Sequence, residues 1–218
     1  MSESPPLPVA PCIVIGLVAA TTSAAALDAT SEVLVAMGAR AFAPDGRAQT
    51  RAFLTRDTGV VLASSHADTA DPRFVSIEIR VTGELLGTPD RMPLSDELET
   101  ECQRTRAFVA RAFAVACERL VPLYAGLGVK WTPPLPSTLR TACLPFDLFH
   151  SASLDAADPC LAQDLAALLG VKQTAFAGGT LIAAGGLLDA DAAAPNHPIA
   201  VGQAAAQRLA RALAVLCP

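Results

Sequence analysis

Residues 95–120 place apolar side chains at helical spacing for about seven turns. Leu98, Cys102, Val109, Ala112, Phe113, Ala116 and Leu120 recur on one face, while Glu99, Gln103, Arg106 and Arg111 lie off it. Ser95 suits an N-cap, and Asp96 and Glu97 suit the positive end of a helix. A helix of this length must bury its stripe against something broad, so the segment predicts the spine of an α+β domain. Pro122 stops it. Just beyond come the only Tyr of the chain, Tyr124, and the only Trp, Trp131, followed by Pro133, Pro134 and Pro136.

The rest of the chain supplies what such a helix could cover. Residues 12–18 form a continuous apolar run rich in Ile and Val, which predicts a central strand. Residues 23–37 predict a helix with Leu27, Val33, Leu34 and Met37 inward and Gly38 as its stop. Residues 59–63 predict a short strand. Residues 74–81 alternate, with Val75, Ile77, Ile79 and Val81 on one side and Phe74, Ser76, Glu78 and Arg80 on the other, the signature of a half-exposed antiparallel strand. Strands are expected at residues 127–131, 144–149 and 180–187. Helices are expected at residues 157–169, ended by Gly170, and at residues 199–216. Strands grouped between helices argue for α+β with a mainly antiparallel sheet, packed by the long central helix and a C-terminal helix. Residues 1–8, with three prolines, read as a flexible leader, and residues 9–218 as one domain. A strand-helix-strand unit could occur twice, although no sequence self-similarity marks a duplication.

Composition narrows the function classes. With 52% apolar and 17% charged residues, 218 residues can bury a large core. A net charge of −5 disfavours a nucleic-acid binder, which needs a basic face. The apolar stretch at residues 9–26 has no basic residue before it and is interrupted by Thr21, Thr22 and Ser23, so it reads as a buried strand and helix and not as an export signal or a membrane span. The six cysteines, Cys12, Cys102, Cys117, Cys143, Cys160 and Cys217, show no zinc spacing and are read as buried free thiols of a cytoplasmic protein. Only Lys130 and Lys172 among the 16 basic residues are lysine, a bias that points to a GC-rich, bacterial coding sequence.

Four polar groups could carry chemistry. Asp147, His150 and Ser151 are the tightest, and with Cys143 or Ser151 as nucleophile they offer a hydrolase or transferase as an alternative function. No Gly-x-Ser-x-Gly turn accompanies them. Asp189, Asp191, Asn196 and His197 offer oxygen ligands and one imidazole, but fit no calcium loop. His66, Asp68 and Asp71 read as a solvated loop. Gly178, Gly179, Gly185 and Gly186 bracket a strand and read as tight turns, not as a phosphate loop. No catalytic set, metal site or cofactor site is therefore assigned. For binding, the acidic first turn of the long helix (Asp96, Glu97, Glu101) and the aromatic pair Tyr124 and Trp131 beside rigid prolines are the expected contact residues.

Three stretches give the chain a pattern. They are the helix running into Cys117-Glu118-Arg119-Leu120-Val121-Pro122-Leu123-Tyr124-Ala125-Gly126-Leu127-Gly128, the strand Leu181-Ile182-Ala183-Ala184-Gly185-Gly186, and the polar loop that leads to a final helix. In these the chain resembles bacterial toxin-immunity proteins, notably immunity families linked to type VI secretion. The resemblance implies a non-enzymatic antidote that plugs or masks a toxin. The expectation is thus a cytoplasmic protein-binding protein whose partner is another protein, with no nucleic acid and no membrane. A homo-oligomeric module joined through the Ala-rich final helix is the remaining alternative.

Overall fold

Strand β1 (Cys12–Ala20) is apolar on both of its faces, and both are buried: Ile13, Ile15 and Leu17 on one side, Val14 and Val18 on the other. Such a strand belongs in the middle of a sheet covered on both sides. The computed structural model describes residues 12–42, 49–82, 96–129, 131–145, 147–183 and 199–217, and places β1 there. The leader, the polar loop with Asp189, Asp191, Asn196 and His197, and the pair Gly185 and Gly186 lie outside the described residues.

From β1 the chain continues through α1 (Ser23–Ala36), β2 (Arg40–Phe42), β3 (Thr50–Thr55), β4 (Gly59–Ala67), β5 (Phe74–Thr82) and the long helix α2 (Asp96–Leu120). It returns through β6 (Tyr124–Val129), a 3-10 turn (Leu139–Thr141), β7 (Asp147–Ser151), α3 (Ala152–Ala157), α4 (Leu161–Leu169), β8 (Lys172–Phe176), β9 (Gly179–Ala183) and α5 (Ile199–Leu216). The nine strands among the described residues form one sheet in the order β2-β3-β4-β5-β1-β6-β7-β9-β8, and every neighbouring pair is antiparallel. The expected α+β class with an antiparallel sheet is the observed one.

The sheet is built from one unit used twice. β1-α1-β4-β5-α2 and β7-α3/α4-β8-β9-α5 share the same connectivity, with a β2–β3 hairpin inserted in the first and β6 standing between the two. In each unit a helical crossover links parallel strands, β1 to β4 and β7 to β8. β1 and β7 run the same way, yet their crossovers move toward opposite edges of the sheet. Right-handed crossovers moving in opposite directions must lie on opposite faces.

The two cores follow this rule. On one face Ala26, Leu27 and Leu34 of α1 and Val109, Ala112, Phe113 and Ala116 of α2 pack on Ile13, Ile15, Leu17, Ile77 and Ile79. On the other, Leu161, Leu165 and Leu169 of α4 and Leu209 and Leu213 of α5 pack with Val18, Tyr124, Leu148 and Ile182. α2 also reaches past its own unit, since Phe113 stacks on Phe176 of β8 with ring centroids 5.8 Å apart. The duplicated unit shows no sequence periodicity because each copy meets different neighbours.

Several boundaries differ from expectation. β6 begins at Tyr124, not at Leu127, and Trp131 falls outside it. The helix expected at residues 157–169 starts later, as α4 at Leu161, and a further short helix, α3, precedes it; Pro159, which has no backbone N–H, lies between the two. β2 and β8, at the sheet's edges, and β3, next to β2, are additional strands.

Candidate functional site

The expected contact residues do not form one surface. Asp96, Glu97 and Glu101 are exposed on the first turns of α2. Tyr124 is wholly buried in β6 on the opposite face of the sheet, and its hydroxyl donates to the Pro134 carbonyl oxygen. Burial, aided by the nearby Asp68 charge, pushes the Tyr124 phenol well above its ordinary range. Tyr124 is therefore a core residue and not a surface anchor: β6 starts three residues earlier than expected and places Tyr124 on its inward parity.

Trp131 is half-buried, and glycines decide where its ring goes. Gly16 of β1 faces Gly126 of β6, and Gly128 lies two residues further on the same side. A Cβ at Gly16 would fall 2.5 Å from the Trp131 ring and 2.9 Å from Pro133; one at Gly128 would fall 2.6 Å from the Trp131 Cβ. The indole thus lies in a trough made by missing side chains, and its Nε1 donates to the Cys143 carbonyl oxygen at 3.3 Å. Much of the ring is spent on the protein's own core.

The Asp147, His150 and Ser151 group is divided by the sheet. On β7 successive residues alternate in face. Asp147 is paired with Leu127, and Phe149 with Ala125, whereas His150 is paired with Tyr124. Asp147 and Ser151 thus share the α2 face, and His150 points to the α5 face. The arrangement needed for a nucleophile and an oriented base is absent from these residues. The two-residue period of a strand, applied to Asp147–Ser151, is the sequence signal that separates them.

His150 has a different neighbourhood. Its side chain is fully buried, with Nδ1 3.4 Å from Asp155 Oδ1, while the Thr180 hydroxyl donates to Asp155 Oδ2 at 2.8 Å. Among the described residues neither ring nitrogen has a hydrogen-bond partner. Burial pulls the imidazole pKa down, and the Asp155 charge opposes this only in part. His150 is a neutral ring held beside a carboxylate.

The loop with His66, Asp68 and Asp71 is not simply solvated. Asp68 is buried and accepts from the Ala70 backbone at 2.9 Å, the Ser137 hydroxyl at 2.8 Å and the Ser137 backbone at 3.1 Å. Burial pushes its carboxyl up, but these hydrogen bonds outweigh burial and hold it below the usual range. Asp68 staples the proline segment after β6 to the β4–β5 connection. Of the bracketing glycines, Gly178 does make a tight turn: Ala177 and Gly178 both have positive φ, 46° and 77°, between β8 and β9.

A further feature lies at the other end of α2. α1 starts and α2 ends at the same end of the strands, beside the last residues of β1, because each is antiparallel to the strand before it. Between them is a cleft of about 250 Å³ lined by Ala19, Thr21, Ala25, Ala26, Ala29, Ile77, Arg119 and Leu120. The alanines make it, since no side chain longer than a methyl group fills the gap along α1. Arg119 is exposed and forms no ion pair among the described residues. Val121 follows, 72% exposed and with φ of 44°. In sequence Arg119 reads only as a charge matched to its helix end; the cleft is a tertiary feature that no local pattern announces.

Comparison of the chain with models of known protein families, with curated proteins and with solved structures found no match. Among the described residues no helix is long and apolar enough to cross a membrane, and no group of three or more His, Cys, Asp or Glu residues is placed to hold a metal ion.

Proposed function

We propose that this chain is a non-enzymatic, cytoplasmic protein-binding protein, an antidote that neutralises a toxin by covering it. The observation that carries the reading is Val121. A β-branched residue in the left-handed region costs at least about 1–2 kcal/mol relative to glycine, and local strain of this kind clusters where a chain meets its ligands. The Val121 backbone ends α2, its N–H donating to the Cys117 carbonyl oxygen at 3.2 Å, but glycine would do this without strain, and the Val121 side chain stands in solvent. A surface that holds an apolar side chain out under strain suits an occupant from outside. The size of the neighbouring cleft agrees: at about 250 Å³ it is below the ~300–1,000 Å³ usual for small-molecule sites, and it suits one anchoring side chain of a protein. The separation of His150 from Asp147 and Ser151 weighs against the hydrolase alternative.

The test is capture followed by reconstitution. The purified full chain is immobilised and exposed to secreted and cytosolic bacterial fractions. Each captured protein is then expressed on its own and titrated against the chain by calorimetry. A stoichiometric complex that abolishes the captured protein's toxicity on co-expression is the expected result. Recovery of the chain alone, or of proteins that fail to bind once purified, would overturn the reading and leave self-association as the alternative.

A further inference from the structure

We propose that α3 is a pH-gated latch, shut over a neutral His150 and opened when that ring takes up a proton. The proposal goes beyond the protein-binding reading and does not depend on it. The His150 side chain is fully buried, and neither ring nitrogen finds a hydrogen-bond partner among the described residues. Asp155 of α3 is the charge that acts on the ring, its Oδ1 lying 3.4 Å from Nδ1. It would serve an imidazolium poorly. Its Oδ2 already accepts from the Thr180 hydroxyl at 2.8 Å, and its side chain is 30% exposed, so water screens its charge. An imidazolium carries two N–H donors, and the one on Nε2 would still face no acceptor while the site is closed. Water supplies acceptors for both once the site opens. The flanking strands add no charge. Thr180 stands opposite His150 on β9, and Tyr124 stands opposite it on β6, where burial pushes the phenol pKa well up and keeps it neutral. On α5, Arg208 is committed to Asp158 and Asp164.

Among the elements around the ring, α3 is the one that can give way. β6 and β9 hold β7 through continuous ladders, and α4 and α5 are anchored by rows of buried side chains. α3 has six residues, too few for a helix that holds on its own, and Leu154 is its buried side chain. Its ties to the sheet are the Asp155–Thr180 hydrogen bond and the Ala152 N–H, which donates to the Gly178 carbonyl oxygen at 3.3 Å. Both flanks stay fixed: Ser151 is paired in β7, and Asp158 is bound by Arg208. A short segment pinned at each end, with one core contact, opens locally at a smaller cost than the sheet. The sign follows from burial, which holds the ring's pKa below its ordinary value. The open form therefore binds a proton more readily, and acid favours it. The Arg208 guanidinium holds the Asp158 carboxyl below the usual range, so that flank stays pinned where the ring titrates.

Hydrogen exchange of the full chain, followed by mass spectrometry from pH 7.5 to 5 and corrected for the intrinsic exchange rate, tests this. Peptides covering residues 152–157 should exchange through a smaller opening than β1 and β5, read as a weaker dependence on low concentrations of urea. That opening should become more frequent as pH falls, by up to about tenfold per pH unit below about 6.5. His150→Gln, neutral at every pH, should abolish the increase. Asp155→Asn, which removes the one opposing charge, should keep it. Circular dichroism checks that both variants fold. If His150→Gln does not, the wild-type ring is read directly by NMR in a chain with His66→Gln and His197→Gln, where one imidazole remains; it should titrate below about 6.5. Exchange at residues 152–157 that shares the urea dependence of β1, that ignores pH, or that keeps its pH dependence in His150→Gln overturns the latch. A His150 ring that titrates at or above about 6.5 overturns it as well. None of these results bears on whether the chain binds another protein.

Discussion

Val121 and His150 each break a local rule, and the consequences of each can be measured separately. At Val121 the conflict is between a β-branched side chain and a positive φ of 44°. Val121→Gly should raise stability by about 1 kcal/mol, because the side chain removed is exposed and the strain goes with it. Urea denaturation checks this, and partner affinity should fall at the same time if Val121 is a contact. At His150 the conflict is between a polar ring and a buried site. Its folded pKa lies below its unfolded value, so in the window between them the unfolded chain binds more protons and stability rises with pH. The stabilisation is present above about pH 6.5 and is lost as pH falls toward the folded value. Tm measured from pH 7.5 to 5 should drop, and His150→Leu should flatten the slope. Neither residue is conspicuous in the sequence. His150 looks like a member of the Asp147 and Ser151 group until strand alternation is imposed. Tyr124 resembles a loop aromatic because the expected strand begins only at residue 127; Gly126 and Gly128 are in fact part of the floor under Trp131.

Single elements are held by contacts between distant segments. The indole of Trp131 lies over Gly16 and Gly126, so Gly16→Ala should push the ring out of its trough at a cost of about 1–3 kcal/mol. Since Trp131 is the only Trp, its emission should shift to the red as the ring becomes wetter, and an unchanged spectrum would contradict this account. Helix α5 is tied down by Arg208, whose Nη2 and Nε donate to Asp158 Oδ1 at 2.8 Å and Asp164 Oδ2 at 2.7 Å. The guanidinium holds the Asp158 carboxyl below its usual range. Arg208→Met should cost about 1–2 kcal/mol by thermal melting; this is less than the loss of a fully buried pair, because both carboxylates keep contact with water. Elements with a strong period were legible: α2 begins one residue after Ser95 and ends at Leu120, and β5 is a strand as read, although the face with Phe74, Ser76 and Glu78 is buried and not half-exposed, because the segment with Trp131 and Pro133 lies over Gly16, the neighbour of Glu78. Those that escaped are edge elements. β8, Lys172–Phe176, is almost wholly exposed, so burial writes no pattern into it. β3 at Thr50–Thr55, next to the edge strand β2, buries only Ala52 and Phe53, too few residues to write an alternating pattern.

For the whole molecule, the two oppositely directed crossovers explain why one sheet carries two separate hydrophobic cores. They also predict a gradient of protection. Hydrogen exchange should be slowest in β1, β5 and β6, which are buried on both sides of the sheet's centre, and fastest in β2 and β8 at its edges. Equal protection across the sheet would argue against this order of strands. The α+β class follows from sequence because strand and helix periods are local. The duplicated unit does not, because its two copies share connectivity and almost no side-chain environment.

The central position of β1 has a consequence during synthesis. The strand ends at Ala20, but the neighbours that pair with its two edges begin only at Phe74 and Tyr124. At ribosomal rates of about 5–20 residues per second, the second edge stays open for roughly 5–20 s after the strand is made. Until β5 is made this apolar strand has no native partner, and until β6 is made it keeps one open edge as a template for pairing. The nascent chain therefore has reason to be a chaperone client, and slow stretches of translation between residues 20 and 124 should lower its yield more than the same delay placed later.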